Sequence, residues 1–177
     1  MNIIVAVNSD WGIGFKGTQA IVIPGDRRRF KQLTENGVVI TGRKTYEDFR
    51  KPLPNRKNII LTHDGSFKAE GAVVRHSVSD VLTEIADEDT DKVFVIGGGS
   101  IYEAFLPYCS AAYVTRIEAA PPSDTFFPNL DEMPDWFLET VDGGFDYTMH
   151  GDEGAISCGE DGAVVRYSFN KYRRKDI

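Results

Sequence analysis

Short apolar runs alternate with amphipathic stretches over the first two thirds of the chain. Five of these runs have the length and the β-branched content of buried strands: residues 3–7, 38–41, 58–62, 73–75 and 93–96. Helical spacing predicts helices over 24–35, 43–48, 78–86 and from about 100, while 8–23 is a glycine-bearing loop. This alternation predicts an α/β fold with a mostly parallel central sheet and helices on both faces.

The last third has a different pattern. Residues 112–118, 136–141 and 164–172 resemble strands, and no helical pattern separates them, so we expect antiparallel strands at the carboxyl-terminal end of the sheet. Residues 142–163 are acidic, rich in glycine and without a clear period, which predicts a long mobile loop. The length of 177 residues fits a single domain, 1–177.

Composition narrows the class of protein. Hydrophobic residues make up 41% and charged residues 27% of the chain, and no apolar stretch approaches the roughly 20 residues of a membrane span. The net charge of −7 argues against a nucleic-acid surface, despite the short basic run of residues 27–29. The amino-terminal residues lack the basic segment of a signal peptide. Cys109 and Cys158 have neither metal-ligand spacing nor disulfide density, which favours a reducing, cytoplasmic location.

The most distinctive feature is the strand 93–96, which runs directly into Gly97, Gly98 and Gly99. Glycines allow a ligand to approach the backbone closely, and the following residues have helical spacing, so the first N–H groups of that helix face the same place. A plain strand-to-helix turn is the alternative, but one glycine would suffice for it. The motif therefore indicates a phosphate or dinucleotide site.

A second glycine motif is misleading. Gly12, Gly14 and Gly17 have the G-x-G-x-x-G spacing of a dinucleotide-binding turn and follow the first strand. That motif must open a helix directly, whereas the helical pattern here begins only near Pro24. We interpret this segment as a flexible loop.

Asp26 is a candidate functional residue. It lies in the first predicted turn of a helix, where a carboxylate can simply cap the helix. However, Phe30 falls on the same helical face, and residues 19–23 bring more apolar surface beside it. A carboxylate between apolar groups is well suited to bind a heterocycle that carries paired N–H donors.

Along nearly its whole length the sequence resembles dihydrofolate reductase. The matching segments occur in order and with sensible spacing, and together they are highly specific. They are residues 12–14, Pro24 and Asp26 followed by Phe30 and Lys31, and residues 41–47, 51–58, 95–102, 115–117 and 124–128.

The resemblance implies that 7,8-dihydrofolate is the substrate. Asp26 would hydrogen-bond a ring nitrogen and the amino group of the pteridine, with Thr115 in the same network. Arg56 would bind the α-carboxylate of the glutamate tail, and Arg27 would lie beside the benzoyl group, at a position that is usually apolar. The other residues expected to line the substrate cleft are Ile4, Val5, Ala6, Phe30, Phe49 and Ile96.

The resemblance also implies NADPH as the cofactor. Gly97 and Gly98 would lie beside the nicotinamide and the diphosphate. Arg43, Thr62 and His63 would lie near the adenosine 2′-phosphate. Since no acidic residue is placed to bind an unphosphorylated ribose, we expect NADPH to be preferred over NADH. The other expected cofactor-binding residues are Ala6, Ile13, Gly14, Gly42, Lys44, Thr45, Leu61, Gly99, Ser100, Ile101, Tyr102 and Thr125.

The implied reaction yields tetrahydrofolate for one-carbon and thymidylate metabolism. Hydride would reach C6 of the pterin while N5 gains a proton from water, and Asp26 would orient and polarise the ring. Residues 9–23 would close over the site, braced by Asp124. The resemblance further implies a monomer, with no metal, that binds antifolate inhibitors.

One departure from the family pattern falls in the predicted site. The family usually has a tryptophan where this chain has Ile21, and its indole N–H holds a water near the substrate; isoleucine has no donor. We therefore expect Ile21 at the rim of the cleft, leaving N5 to be protonated from less ordered solvent.

The sequence leaves two other classes of function open. One is a riboflavin-pathway pyrimidine reductase of the same fold, which does not need Asp26 with Phe30 or the clamp at Arg56. The other is a non-catalytic binding or structural member of the fold.

Overall fold

A computed structural model describes residues 1–19, 21–149 and 162–175. The chain forms two compact units. The first comprises residues 1–4 and 30–110, and the second comprises residues 5–29 and 111–177.

The strands and helices of the two units are numbered in chain order. The strands are β1 (Asn2–Val7), β2 (Gly12–Gly14), β3 (Val38–Gly42), β4 (Lys57–Leu61), β5 (Val73–Arg75), β6 (Val93–Gly97), β7 (Ala111–Ile117), β8 (Thr125–Phe126), β9 (Trp136–Thr148) and β10 (Val164–Arg174). The helices are α1 (Pro24–Thr34), α2 (Arg43–Phe49), α3 (Val78–Glu84) and α4 (Gly99–Phe105), with short 3₁₀ turns at Thr90–Lys92, Leu106–Tyr108 and Leu130–Glu132.

The first unit is built on parallel strands in the order β5, β4, β3, β6, β1. All residues of β3 and β6 are buried, as expected for strands that are covered on both faces. Helix α2 begins directly after β3, and α4 begins after β6 and the single residue Gly98. Because Thr41 pairs with Gly97, both of these strand ends lie side by side at the carboxyl edge of the sheet.

The second unit is antiparallel. Its strands β7, β10 and β9 lie in that order, and β2 pairs separately with β8. Its apolar core includes a cluster of six buried residues. They are Ile21, Ile23, Ile117, Met149, Val165 and Tyr167.

The expected fold class is confirmed, with parallel strands first and antiparallel strands at the carboxyl-terminal end. The predicted loop over 142–163 is wrong in part, because β9 continues to Thr148 and pairs with β10 as far as Val164. Nearly every residue of β9 after Trp136 is exposed, so no buried face imposes a period of two on the sequence. Gly144, with φ of +87°, is the extra residue at a register shift opposite Tyr167 and Ser168, which is typical of a β-bulge. Residues 150–161 of that predicted loop lie outside the described residues.

Within the described part of the chain, no helix has both the length and the apolar character that crossing a membrane requires.

Candidate active site

Asp26 lies in helix α1, and its carboxylate is hydrogen-bonded to strand β7. The helix starts as the sequence predicts, with the Arg27 N–H donating to the Ile23 carbonyl at 3.1 Å. The Asp26 carboxylate is half-buried and accepts a hydrogen bond from the Thr115 hydroxyl, with 2.5 Å between Oδ1 and Oγ1. Thr115 itself is buried in β7. The carboxylate is therefore held by a neighbouring strand.

The surroundings of Asp26 act on its pKa in opposite directions. Burial raises the pKa of the carboxyl, because desolvation disfavours the anion. The hydrogen bond from Thr115 and the charges of Arg29 and Arg27 lower the pKa, but burial outweighs them. A carboxylate in this state gains the most from a ligand that donates hydrogen bonds to it.

Arg56 is anchored in the first unit. Its Nε donates to the Pro54 carbonyl at 2.9 Å and its Nη1 donates to Thr34 Oγ1 at 3.1 Å. Thr34 lies in the last turn of α1 and donates in turn to the Phe30 carbonyl at 2.8 Å. These contacts fix the direction of the guanidinium relative to the carboxyl-terminal half of α1.

The glycines at the ends of β3 and β6 permit close backbone packing. Gly97 has φ of +117°, and its peptide bond to Gly98 is cis. A Cβ atom on Gly97 would lie 3.1 Å from the Tyr102 ring, and one on Gly98 would lie 3.3 Å from Thr45 Oγ1. A Cβ on Gly42 would lie 2.9 Å from Ile101. The positive φ of Gly97 favours glycine, and a Cβ at Gly42 or Gly98 would crowd its neighbours, so the strand ends present bare backbone at this edge.

Tyr102 fixes the backbone next to these glycines. Its buried hydroxyl group donates to the carbonyls of Ile4 in β1 and Ile96 in β6, at 2.8 and 2.9 Å. The Thr41 hydroxyl donates to the Gly97 carbonyl at 3.0 Å. The edge is thus held by side-chain hydrogen bonds as well as by the strand pairing.

Arg43, at the start of α2, already has two anionic partners. Its Nε lies 2.7 Å from Glu47 Oε1, its Nη1 lies 2.7 Å from Asp64 Oδ2, and its guanidinium lies 4.7 Å from the Phe67 ring centre. Asp64 is therefore an acidic neighbour of Arg43 that sequence reasoning did not single out. Asp64 directly follows Thr62 and His63, so its position in the loop after β4 was a signal that could have revealed it.

Comparison with known proteins identifies the family. The family model for dihydrofolate reductase matches residues 1–143. A dihydrofolate reductase of Staphylococcus aureus is 35% identical over 147 residues, which cover 82% of this chain and 89% of that protein. The chain belongs to the dihydrofolate reductase family.

Other relatives agree with this assignment. A bifunctional dihydrofolate reductase-thymidylate synthase of Zea mays is 38% identical, over 73% of this chain and 28% of that longer protein. Among solved structures, a dihydrofolate reductase from Enterococcus faecalis, complexed with NADP(H) and RAB-propyl, superposes with a TM-score of 0.80. Its sequence is 29% identical, and the match covers 99% of this chain and 96% of that one.

In this dihydrofolate reductase family member, Asp124 holds the loop before α1. Its Oδ2 accepts from the Lys16 backbone N–H at 2.8 Å, and its own N–H donates to the Gly14 carbonyl at 3.0 Å. Gly14 also pairs with Thr125 across β2 and β8. The structure thus brings together the loop residues and the acid that the sequence predicted to brace them.

Ile21 does not lie at a rim. Its side chain is only 1% exposed and packs in the apolar cluster with Ile23 and Ile117. A residue at the edge of a cleft would be partly exposed, so this part of the expectation is wrong. The structure gives Ile21 a packing role, and its contribution to catalysis stays a prediction.

The other predicted residues fall in both units. In the first unit, Ile4, Ile96, Gly97, Ile101 and Tyr102 are buried, whereas Lys44, Phe49, His63 and Ser100 are exposed and Phe30, Thr45, Leu61, Thr62 and Gly99 are half-buried. In the second unit, Val5 is buried, Ala6 and Ile13 are half-buried and Arg27 is exposed. Sequence reasoning overlooked Arg29, which is half-buried beside Phe169 and interacts electrostatically with Asp26.

Proposed function

We propose that this chain catalyses the reduction of 7,8-dihydrofolate to 5,6,7,8-tetrahydrofolate with NADPH. The observation that carries the proposal is the half-buried Asp26 carboxylate bonded to Thr115, in a chain that belongs to the dihydrofolate reductase family. The E. faecalis relative is complexed with NADP(H), which supports the choice of cofactor.

Asp26 and Thr115 bind and polarise the pterin. A pterin presents a ring N–H and an exocyclic amino group side by side, and these match the two oxygens of one carboxylate. The Thr115 hydroxyl donates to Oδ1 and so fixes the plane in which the carboxylate can accept. Charge on Asp26 then favours the electron distribution in which N5 accepts a proton from water. Asp26 orients the ring and does not itself carry the proton to N5.

The carboxyl ends of β3 and β6, where Gly42, Gly97 and Gly98 lie, are proposed to bind a dinucleotide. Gly42, Gly97 and Gly98 carry no side chains that would cover the backbone, so a diphosphate could approach it there. Helices α2 and α4 both begin after a glycine, which has no side chain to accept hydrogen bonds from the first N–H groups of the helix. These N–H groups favour the binding of an anion. NADPH bound there supplies the hydride for C6 of the pterin. Arg43, with Thr62 and His63, is the proposed group for the 2′-phosphate.

Arg56 is proposed to bind the α-carboxylate of the glutamate tail. The bonds to Pro54 and Thr34 hold the guanidinium in one orientation, which reduces the entropy lost when it pairs with a carboxylate. We propose that Arg27, exposed in α1, adds positive potential for the same anionic tail.

The remaining proposals concern the protein as a whole. We propose that residues 1–177 act as one catalytic domain, as a monomer in the cytoplasm, and that antifolates compete with the substrate. Closure of residues 9–23, held by Asp124, would exclude water from the reacting groups.

Absorbance of NADPH tests the function. Purified protein should oxidise NADPH only when dihydrofolate is added, and a pyrimidine intermediate of riboflavin synthesis should not replace it. Asp26→Asn keeps the size of the side chain and an acceptor for Thr115, and should slow turnover by about two orders of magnitude or more. Full turnover in Asp26→Asn at neutral pH would remove Asp26 from the proposed site.

A further inference from the structure

Three consecutive arginines in α1 have different environments. Arg27 and Arg28 are exposed, whereas Arg29 is half-buried, with its guanidinium carbon 4.3 Å from the centre of the Phe169 ring. Burial lowers the pKa of Arg29, and the negative charges of Asp142 and Asp26 oppose that change. Arg29 is therefore a cation near two carboxylates, and it is less exposed than its two neighbours.

The strand register places these groups in one row. In the antiparallel strands of the second unit, Thr115 of β7 pairs with Phe169 of β10, and Phe169 pairs with Asp142 of β9. Arg29 lies over the middle residue of the row, and Asp26 is bonded to the Thr115 end. Asp26 and Arg29 are three residues apart in α1 and so lie on the same helical face. The guanidinium thus has one carboxylate on its own helix and a second on β9.

We propose that Arg29 is a positioning residue for the reaction: its guanidinium, stacked on Phe169 and on the same helical face as Asp26, helps to keep the Asp26 carboxylate ionised. Asp142 limits this effect, because its negative charge interacts with the same guanidinium. The inference rests on the proposed role of Asp26 in binding the pterin.

The other polar and charged groups near Asp26 do not replace Arg29. On α1, Arg27 is exposed, so water screens its charge more strongly. On β7, Thr115 is a neutral donor and Tyr113 faces Arg29, with Lys171 of β10 5.6 Å from the Tyr113 ring centre. On β10, the Tyr167 hydroxyl lies against Gly25. Arg29 is half-buried over an aromatic ring, where a charge acts through a less polar medium.

Titration of the Asp26 carboxyl by carbon NMR tests the proposal in the ligand-free protein. Arg29→Leu should move the Asp26 midpoint to higher pH, and Asp142→Asn should move it to lower pH. Arg28→Leu removes an equal charge from the adjacent exposed position and is the matched control, with little expected change. Arg29→Lys restores a cation without the planar stacking group and should return the midpoint most of the way.

A ligand provides a second readout. A 2,4-diaminopyrimidine binds as a cation to an ionised carboxylate. At the wild-type Asp26 midpoint, Arg29→Leu should therefore weaken its binding, because a smaller fraction of the carboxyl is ionised at that pH. The pH profile of single-turnover hydride transfer should move in the same direction as the midpoint.

The outcomes separate this inference from the proposed function. Equal midpoints in wild type and Arg29→Leu, with the fold intact by circular dichroism, would overturn the inference even if dihydrofolate is reduced. Equal shifts in Arg28→Leu and Arg29→Leu would also overturn it, since a general loss of charge would then explain both. The expected shifts without any reduction of dihydrofolate would leave the electrostatic pairing intact and refute the proposed function.

Discussion

Replacing Ile21 with tryptophan tests whether this position belongs to the packed core of the second unit. The family usually has a tryptophan here, and at a cleft rim the substitution would restore an N–H donor. The structure instead buries Ile21 to 1% exposure among Ile23, Ile117, Met149, Val165 and Tyr167. An indole is much larger than the isoleucine side chain, so the cluster must move to accept it.

The cost follows from the packing. Overpacking of a well-filled core costs about 1–3 kcal/mol. For a chain of this size, 1 kcal/mol lowers Tm by about 2–4 °C, so the expected decrease is about 2–12 °C. Ile21→Val, which only removes a methylene group, should cost about 0.5–1.5 kcal/mol.

Differential scanning calorimetry measures the stability, and single-turnover absorbance measures hydride transfer in the same variants. Val22→Trp is the matched control, because Val22 is half-buried next to Ile21 and can turn a large ring towards solvent. We expect Ile21→Trp to be less stable than Val22→Trp and no faster than wild type in hydride transfer. If Ile21→Trp keeps the wild-type Tm and transfers hydride faster, the core placement of Ile21 is refuted.

Three further predictions concern Tyr102, Asp26 and Asp64. Tyr102→Phe removes the donor from two buried carbonyls and should cost about 1–3 kcal/mol in urea unfolding; a loss near zero would contradict the role of that hydroxyl. Burial raises the folded-state pKa of Asp26, so the folded protein prefers the neutral carboxyl. The contribution of this carboxyl to folding stability is therefore complete below the unfolded-state pKa, and it is lost as pH rises through the folded-state pKa. Asp26→Asn should therefore be more stable than wild type at pH 7 and equal to it at pH 3; a lower Tm at pH 7 would reverse this sign. Asp64→Asn removes an anionic partner of Arg43, so NADPH should bind a few-fold more tightly while NADH is unchanged in fluorescence titrations, and an equal change for both would argue against a 2′-phosphate at Arg43.

Local sequence patterns predicted the parts of the fold that local physics determines. The buried strand before Gly97 and the helix after Gly99 are visible from β-branched residues, glycines and helical spacing alone. Asp26 could be selected because a carboxylate with Phe30 on its helical face is unusual for a simple cap.

Long-range packing explains what the sequence did not reveal. Strand β9 is stabilised by its pairing with β10 and has almost no buried face, so its sequence carries no strand period. The burial of Ile21 depends on contacts with residues more than 90 positions away, such as Ile117. Likewise, the proximity of Arg29 to Asp142 depends on the register of β9 and β10, which no local pattern encodes.

The most direct test of the central claim follows the transferred hydrogen. NADPH that carries deuterium on the transferring face of nicotinamide C4 is incubated with dihydrofolate and the protein, and the folate product is analysed by NMR and mass spectrometry. We predict one deuterium at C6 of tetrahydrofolate for each NADPH oxidised, at a rate that falls by about two orders of magnitude or more in Asp26→Asn. Oxidation of NADPH without deuterium at C6, or no tetrahydrofolate at all, would contradict the proposal that this chain is a dihydrofolate reductase in activity as well as in family.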